Sequence, residues 1–554
     1  MAKFITNNIR NVCLIGHSGS GKTATIEQML WRAGATDRLG RVCDGNTVSD
    51  YDSEEIKRQI SIGLSVCNLV WNDVKINLID CPGFLGFAGE VASALRVADA
   101  CLINVDAKAG MEVGTEIGWY NALDAGLPRA FFINKCDDPD ADFDKVFEQL
   151  RGEFGNALCP VFIPIKEPNG VIMADLMTMK CFRYLPNGER QEEEMTPSRL
   201  AVAEKYEEIF MEAVAQTNEE MLEKFFEGER FSSEECANAL HEGMITGSIV
   251  PVWCGSSENM RGIYSILTSI AQSFPRHTAK GAEKDISGGD VAIEREGECR
   301  LFVFKTISDP FVGRFSFFKV MNGTVKRDLL MTNTTTGDGE KLAHIYTVCG
   351  KKQTEVEELV CGDIGLTTKL VFANTNDTLS VSGNVAYHKI EFPAPYYSMA
   401  IEPLAKGDED KISQGISKLL EEDLSLRYVN NAETKQMIIS GLGDMHLDVL
   451  VSKLKARFGT SVKLSEEKIA YRETIRKSVQ AEGKHKKQSG GHGQYGHVKI
   501  EFAPGDEEGL VFTESIFGGS VPKNFHPAVE KGLLEAMQRG VLAGFPVVNL
   551  KANL

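Results

Sequence analysis

Gly16-His17-Ser18-Gly19-Ser20-Gly21-Lys22-Thr23 sets three glycines, a lysine and a threonine in the pattern G-x-x-x-x-G-K-T. Glycines at 16, 19 and 21 let backbone N–H groups turn inward and approach phosphate oxygens with no Cβ in the way. Lys22 offers a point charge to β and γ phosphates, and the Thr23 hydroxyl is a hard oxygen ligand for Mg²⁺. Asp80-Cys81-Pro82-Gly83 adds a carboxylate one layer out from that Mg²⁺ and, at Gly83, an N–H able to sense a γ-phosphate. In Asn134-Lys135-Cys136-Asp137, the aspartate can accept from the N1–H and the 2-amino group of guanine, donors that adenine does not offer. Pro251-Val252-Trp253-Cys254-Gly255-Ser256-Ser257 completes the set as a loop whose backbone meets the guanine carbonyl. D-x-P-G alone is a weak signal, because Pro-Gly is also a common turn. Three motifs in order specify GTP rather than ATP.

Positioning these groups requires strands that end where each motif begins. Val12–Ile15 is apolar and runs into Gly16, and Ile26, Met29 and Leu30 recur behind the loop at helical spacing. The loop therefore lies between a buried strand and a helix N-terminus, whose dipole adds to the field on a phosphate. Lys75–Ile79, Ala100–Val105 and Ala130–Ile133 read as further buried strands with polar or glycine-containing loops after them. Strands alternating with helices imply a parallel sheet with crossovers, with ligands at the carboxyl ends. The distance from Asp137 to Gly255 implies an insertion, about 159–249. Within it Thr196 and Pro197 suit a helix start, and Val202, Tyr206, Ile209, Phe210 and Val214 fall on one helical face.

With 554 residues the chain exceeds one core, and three or four domains are expected. No run of eighteen apolar residues occurs, so no membrane span is expected. The first strand starts within about ten residues of Met1, so no signal or transit peptide is expected. Thirteen scattered cysteines, among them Cys13 and Cys101 in apolar runs, suit reduced thiols in a cytosolic protein. The net charge of −18 argues against a simple polyanion binder, but it is unevenly placed. Glu189–Glu235 holds 15 Asp/Glu against 5 Lys/Arg, whereas Tyr471–Lys499 holds 7 Lys/Arg against 2 Glu, plus His485, His492 and His497. An acidic insertion and a basic, glycine-rich loop near Gly490 suit two different surfaces, the second a nucleic-acid backbone with Tyr495 free to stack on a base.

Further motifs appear in the same order as in one known family. They are Asp309-Pro310-Phe311-Val312-Gly313-Arg314 with Asn322-Gly323-Thr324-Val325, and Glu357-Glu358-Leu359-Val360-Cys361-Gly362-Asp363-Ile364-Gly365. Ile439-Ser440-Gly441-Leu442-Gly443-Asp444-Met445-His446-Leu447 and Gln488-Ser489-Gly490-Gly491-His492-Gly493-Gln494-Tyr495-Gly496-His497-Val498 follow. With the GTP motifs, they make essentially the whole chain resemble elongation factor G, the translational GTPase, and most closely its divergent elongation factor G-like branch. The resemblance implies an α/β P-loop GTPase domain over 1–285 carrying the insertion. A β-barrel over 290–388, a small α+β domain over 393–467 and a partial α+β fourth domain over 468–554 are implied after it. It also implies GTP and GDP with Mg²⁺, a cytoplasmic monomer, and the ribosome as partner. Ribosomal RNA would meet the basic loop, and the stalk protein the acidic insertion.

Four departures from the family pattern bear on mechanism. The histidine that positions water after D-x-P-G is Phe84, whose ring has neither donor nor acceptor. The family's phosphate-loop aspartate, able to hold a monovalent cation, is Gly19. The switch threonine on Mg²⁺ is Ser61, which keeps the hydroxyl. The chain stops at Ala543–Leu550 within the fourth domain, in a stretch read as a strand. Slow GTP hydrolysis is expected. The competing readings are a GTP-dependent regulatory factor that does not hydrolyse and a ribosome-protection factor.

Overall fold

The computed structural model describes residues 4–185, 188–309, 313–405, 407–488 and 490–554. Pro310, Phe311, Val312 and Ser489, quoted in the motifs above, lie outside those residues. The chain forms two compact units, Met1–Ser398 with Pro403–Tyr428 and Ile439–Lys463, and Met399–Glu402 with Val429–Ile438 and Leu464–Leu554.

Ten strands build the sheet of the first unit: β1 (Ile9–Ile15), β2 (Ser65–Trp71), β3 (Val74–Asp80), β4 (Ala100–Asp106), β5 (Arg129–Asn134), β6 (Leu158–Glu167), β7 (Gly170–Asp175), β8 (Lys180–Tyr184), β9 (Arg190–Glu193) and β10 (Val250–Cys254). Helices α1 (Lys22–Arg32), α2 (Ser53–Arg58), α3 (Ala88–Val97), α4 (Val113–Asp124), α5 (Phe143–Phe154), α6 (Pro197–Ala215), α7 (Glu219–Glu227), α8 (Ser233–Thr246) and α9 (Ile263–Ser273) accompany them. The spatial order is β2-β3-β1-β4-β5-β10-β6-β7-β8-β9. From β3 to β6 every pairing is parallel, while β2 and the β7–β9 hairpins are antiparallel. Every residue of β1 is buried, as a strand covered on both faces must be. Because β3, β1, β4, β5 and β10 are neighbours, the four GTP motifs leave one end of the sheet side by side.

The insertion continues this sheet rather than standing apart, since β6 is hydrogen-bonded to β10. Helix α6 buries Ala203, Tyr206, Phe210 and Val214, but Val202 is 41% exposed. Steps of four residues advance about 40° each, so a stripe drawn back from Val214 by fours has drifted off the buried face at Val202. The stripe runs through Ala203 instead. Thr196 occupies the cap position without a side-chain cap bond, and Pro197 takes the first turn.

All thirteen cysteines are free thiols, and Cys13 and Cys101 face each other across β1 and β4 with Sγ atoms 3.0 Å apart. Among the described residues no helix is long and apolar enough to cross a membrane.

Eight later strands form an antiparallel sheet in the order 339–342, 329–333, 378–380, 300–309, 313–322, 364–368, 345–349, 352–356. It curls around Leu301, Val303, Phe318, Val320, Leu342 and Leu379. Its edge strands 339–342 and 352–356 form no ladder with each other among the described residues, so the expected barrel stays open. Buried charges pin this sheet to the GTPase sheet. Lys319 Nζ donates to Asp99 Oδ1 at 2.6 Å and to the Val97 carbonyl at 2.9 Å, and Lys75 Nζ donates to Asp363 Oδ1 at 2.8 Å. Burial alone would push the Asp99 carboxyl up, but Lys319 and His277 outweigh it and hold the group at about 2. The region 393–467 then supplies strand 397–403, helix 409–422, strands 427–431 and 436–441, helix 444–458 and strand 462–465, an α+β content.

In the second unit, strands Val479–Lys487 and Gln494–Pro504 form a long hairpin, paired from Val479 opposite Phe502 to Lys487 opposite Gln494. Leu550–Asn553 joins it and also pairs in parallel with Leu510–Thr513 over Ile500, Ala552 and Leu554. The expected strand Ala543–Leu550 is a bend and irregular backbone as far as Asn549, with one isolated parallel bridge from Val547 to Glu473. Gly544 has φ +85°, and the Glu473 carboxylate accepts from the N–H groups of Leu542, Ala543 and Phe545, which a ladder would otherwise need.

Candidate functional site

The loop after β1 has the geometry its glycines predict. Gly16 has φ +134°, and a Cβ there would lie 2.4 Å from the Asn104 carbonyl oxygen. A Cβ on Gly21, at φ +92°, would lie 2.3 Å from Asn134 Nδ2. Those two glycines are demanded by close approach, whereas a Cβ on Gly19 would meet nothing within 4 Å. Gly19, Lys22, Thr23, Asp50, Ser61 and Phe84 line one cleft. Lys22 is buried, and its ammonium donates to the Gly16 and His17 carbonyls at 3.0 and 2.8 Å. Burial lowers its pKa, partly offset by the charge of Asp80. His17 accepts from the Gly114 N–H through Nδ1 at 3.2 Å, and Gly83 is so near that a Cβ would lie 2.6 Å from Lys22 Nζ and 2.8 Å from the Ser18 backbone.

Around Thr23 the donor set has the chemistry of a hard divalent cation. The Thr23 and Ser61 hydroxyls lie 3.0 Å apart. Asp80 Oδ2 accepts from the Ser49 hydroxyl at 2.6 Å, and its Oδ1 is buried with no partner among the described residues. Asp50, for which the sequence carries no motif, is the fourth member. Burial, then the charges of Asp80 and Glu55, push it up to about 8. Asp80 is raised by burial and Asp50 by burial and the charge of Asp80, and two such carboxylates beside two hydroxyls are electrostatically completed by a dication, so these residues fit Mg²⁺. Ser61 is held in place through α2, whose Asp52 and Glu55 form a capping box. The Glu55 carboxylate also accepts from the N–H groups of Ile62 and Gly63 at 3.0 Å each.

On the other side of the loop, Asn134 clamps three segments. Its Nδ2 donates to the Ser20 carbonyl at 2.9 Å and to the Ser257 hydroxyl at 3.0 Å, while its Oδ1 accepts from the Lys135 and Ser257 N–H groups at 2.8 Å each. The Gly255 N–H donates to the Ile133 carbonyl, and the Ser256 hydroxyl accepts from the Glu258 N–H at 3.1 Å. Lys135, at φ +63°, bonds Asp106 Oδ2 at 2.6 Å. Asp137 Oδ1 is buried and has no partner among the described residues. A carboxylate oxygen left without donors is costly unless a ligand brings them, and guanine brings two. Cys81 and Pro82 are buried between β3 and Gly83, where they shape the turn.

Phe84 packs with Ile60 and Met445 against Ile62, Phe87 and Val449. The helix 444–458 also holds α2 by charge, since Arg58 bonds Asp448 at 2.6 Å and Arg457 bonds Asp52 at 3.1 Å.

Four family profiles match the chain in order. The elongation factor Tu GTP binding domain matches residues 7–276, elongation factor G domain 2 matches 298–382, domain III matches 392–466 and domain IV matches 467–554. Elongation factor G of Thermotoga maritima is 37% identical over 560 aligned positions, spanning 99% of this chain and 81% of that protein. The chain belongs to the elongation factor G family. A crystal structure of a protein from Thermus thermophilus superposes with a TM-score of 0.86 at 34% identity, covering 99% of this chain and 80% of that one. Membership of a translational GTPase family makes GTP the nucleotide class of the site and GTP hydrolysis on the ribosome the family-level activity.

Proposed function

We propose that the chain is a GTP-dependent ribosome-binding factor of the cytoplasm that hydrolyses GTP slowly. The observation that carries the reading is the unpartnered Asp137 Oδ1 beside the Asn134 clamp, with a phosphate loop held by the same clamp. We assign Gly16 to Thr23 to the phosphates, Asn134, Lys135, Asp137 and Gly255 to Ser257 to guanine, and Asp80 to Gly83 to γ-phosphate sensing. Thr23 and Ser61 would hold Mg²⁺, with Asp50 and Asp80 behind them, and the ion would neutralise phosphate charge in the transition state. Lys22 holds the β and γ phosphates, and Asp137 orients the base. Loss of the γ-phosphate takes a partner from Gly83 and from the Ser61 segment, and α2 then loosens from helix 444–458. The domain limits that follow are 1–285, 290–388, 393–467 and 468–554. The deciding experiment is GTP turnover by the chain with and without ribosomes. Stimulated turnover supports the proposal. Ribosome-dependent GTP binding without turnover returns the non-hydrolysing reading, which the apolar surroundings of Phe84 favour.

Asp137→Asn is expected to weaken GTP binding roughly 10- to 100-fold, since a hydrogen bond to a charged group contributes about 1.5–3 kcal/mol. Xanthosine triphosphate should gain what GTP loses, because its 2-oxo group accepts from the new amide. Competition against labelled nucleotide reads both, and unchanged GTP affinity would remove Asp137 from the base site.

The exposed lysines 484, 486 and 487 and Tyr495, 66% exposed, give the hairpin of the second unit a face suited to ribosomal RNA. The acidic face of α6 is proposed to meet the ribosomal stalk protein. Glu204 and Glu208 are exposed there, whereas Glu207 is turned to Arg230 at 3.2 Å and is not available for steering. Reversing Glu204 and Glu208 to lysine should slow association with ribosomes roughly tenfold at low salt and leave dissociation nearly unchanged. Stopped-flow rates indifferent to both the reversal and added salt would leave α6 as a solvated surface.

A further inference from the structure

Phe84 gives the phosphate cleft no polar group, but one amide side chain also lines it. Gln59 lines the cleft with Lys22, Thr23, Ser61, Gly83 and Phe84. It closes α2 in the left-handed conformation, φ +56° and ψ +39°, with its N–H on the Glu55 carbonyl. Glycine would make that helix end without strain, so nothing in the cap calls for a carboxamide. A bulky non-glycine residue held at positive φ against a phosphate cleft is a strained position of the kind found at functional sites.

The carboxamide is anchored by one end. Its Nε2 donates to the Cys43 carbonyl at 2.8 Å, while Oε1 has no bonded partner among the described residues. Cys43 belongs to the turn 42–44, adjoining Val42, which lines the same cleft. Gln59 is exposed, so the amide is tethered by its nitrogen at the rim of the cleft and its acceptor oxygen is open to water there. Its lining neighbours Ile60 and Phe84 offer only hydrocarbon side chains.

We propose that Gln59 is the water-positioning residue of GTP hydrolysis in this chain, its Oε1 accepting a hydrogen bond from the attacking water in place of a group at position 84. This rests on the GTPase reading above. The water oxygen forms the new bond to the γ-phosphorus as the bond from that phosphorus to the β–γ bridging oxygen breaks, its electron pair leaving with GDP. One water proton passes to a γ-phosphate oxygen and the other stays on the new hydroxyl of inorganic phosphate. The amide is neither protonated nor consumed, so it contributes by orientation alone.

Gln59→Gly is the discriminating variant, because glycine relieves the left-handed strain and leaves the fold at least as stable. Single-turnover hydrolysis of GTP on ribosomes should fall roughly tenfold or more, while the affinity for a non-hydrolysable GTP analogue and the thermal midpoint are retained. Gln59→Asn, an amide that tolerates the same φ, should keep more of the rate than Gln59→Gly. Equal rates for wild type and Gln59→Gly overturn the proposal, as does a wild type that binds GTP and turns none over. A rate loss matched by an equal loss of analogue affinity also overturns it, because Gln59 would then hold the cleft rather than the water. Failure of wild type to bind any guanine nucleotide would instead defeat the GTP assignment itself.

Discussion

Lys22→Ala is expected to raise the dissociation constant for GTP roughly 30- to several-thousand-fold, the equivalent of about 2–5 kcal/mol for removing one partner of a buried, hydrogen-bonded charge pair. The size follows from the environment of the ammonium. It is buried at the root of α1, its pKa is lowered first by desolvation, and among the described residues its hydrogen bonds go to two loop carbonyls. A buried cation with carbonyl partners is poorly compensated, and phosphate oxygens are the anions the cleft is shaped to admit. Base recognition lies on the far side of Asn134 and should survive, so GTP and GDP should lose affinity together while xanthosine nucleotides stay excluded. Competition with labelled GTP reads the loss, and the thermal midpoint without nucleotide checks that the variant is folded. GTP binding as tight as wild type in a folded Lys22→Ala chain would refute the phosphate-loop assignment.

Much of the site was readable in the sequence because its parts are local. Glycines at 16 and 21 belong to one short loop pattern, and a carboxylate at a strand end needs only the strand before it. Sheet order then does the rest, since β3, β1, β4, β5 and β10 must deliver their ends together once they are adjacent. Residues whose roles depend on distant segments were not readable. Asp50 precedes α2 in a stretch without a motif, and only the fold sets it against Asp80 and Ser61. Gln59 looks like an ordinary polar residue until its left-handed backbone and its bond to Cys43 are seen. Val202 fits a helical face on paper and falls off it because successive steps of four accumulate rotation. The stretch before Leu550 has strand-like composition, and a single carboxylate from Glu473 takes the N–H groups that a ladder would have used. The curled eight-stranded sheet was expected closed, but closure depends on two edge strands meeting, and composition does not determine that.

Phe84→His is expected to raise the single-turnover rate of GTP hydrolysis on ribosomes by roughly 10²-fold or more, the range that a positioned general base or water-orienting group contributes. In wild type the ring sits among Ile60, Met445, Ile62, Phe87 and Val449, so the segment after Gly83 is held by apolar contact and presents no hydrogen-bonding side chain at position 84. Affinity for GTP should change little, because Phe84 follows the residues assigned to the phosphates. The same contacts set a second readout. Imidazole is smaller and more polar than phenyl, so the substitution should weaken the hold of helix 444–458 on this segment and lower the thermal midpoint modestly, by about 1 kcal/mol of stability. Phe84→Ala separates the two effects, since it loosens the contact without supplying a donor, and should lower stability further while gaining no hydrolysis. If Phe84→Ala accelerates hydrolysis as much as Phe84→His, the phenyl ring is a steric block on water, and orientation is not what position 84 lacks. If Phe84→His binds GTP and ribosomes yet gains nothing, the rate is limited at Gly19, where the family aspartate and its cation are missing, or is already provided by Gln59. Adding Gly19→Asp to Phe84→His decides between those two: a gain in rate assigns the limit to Gly19, and no gain leaves the chemistry with Gln59.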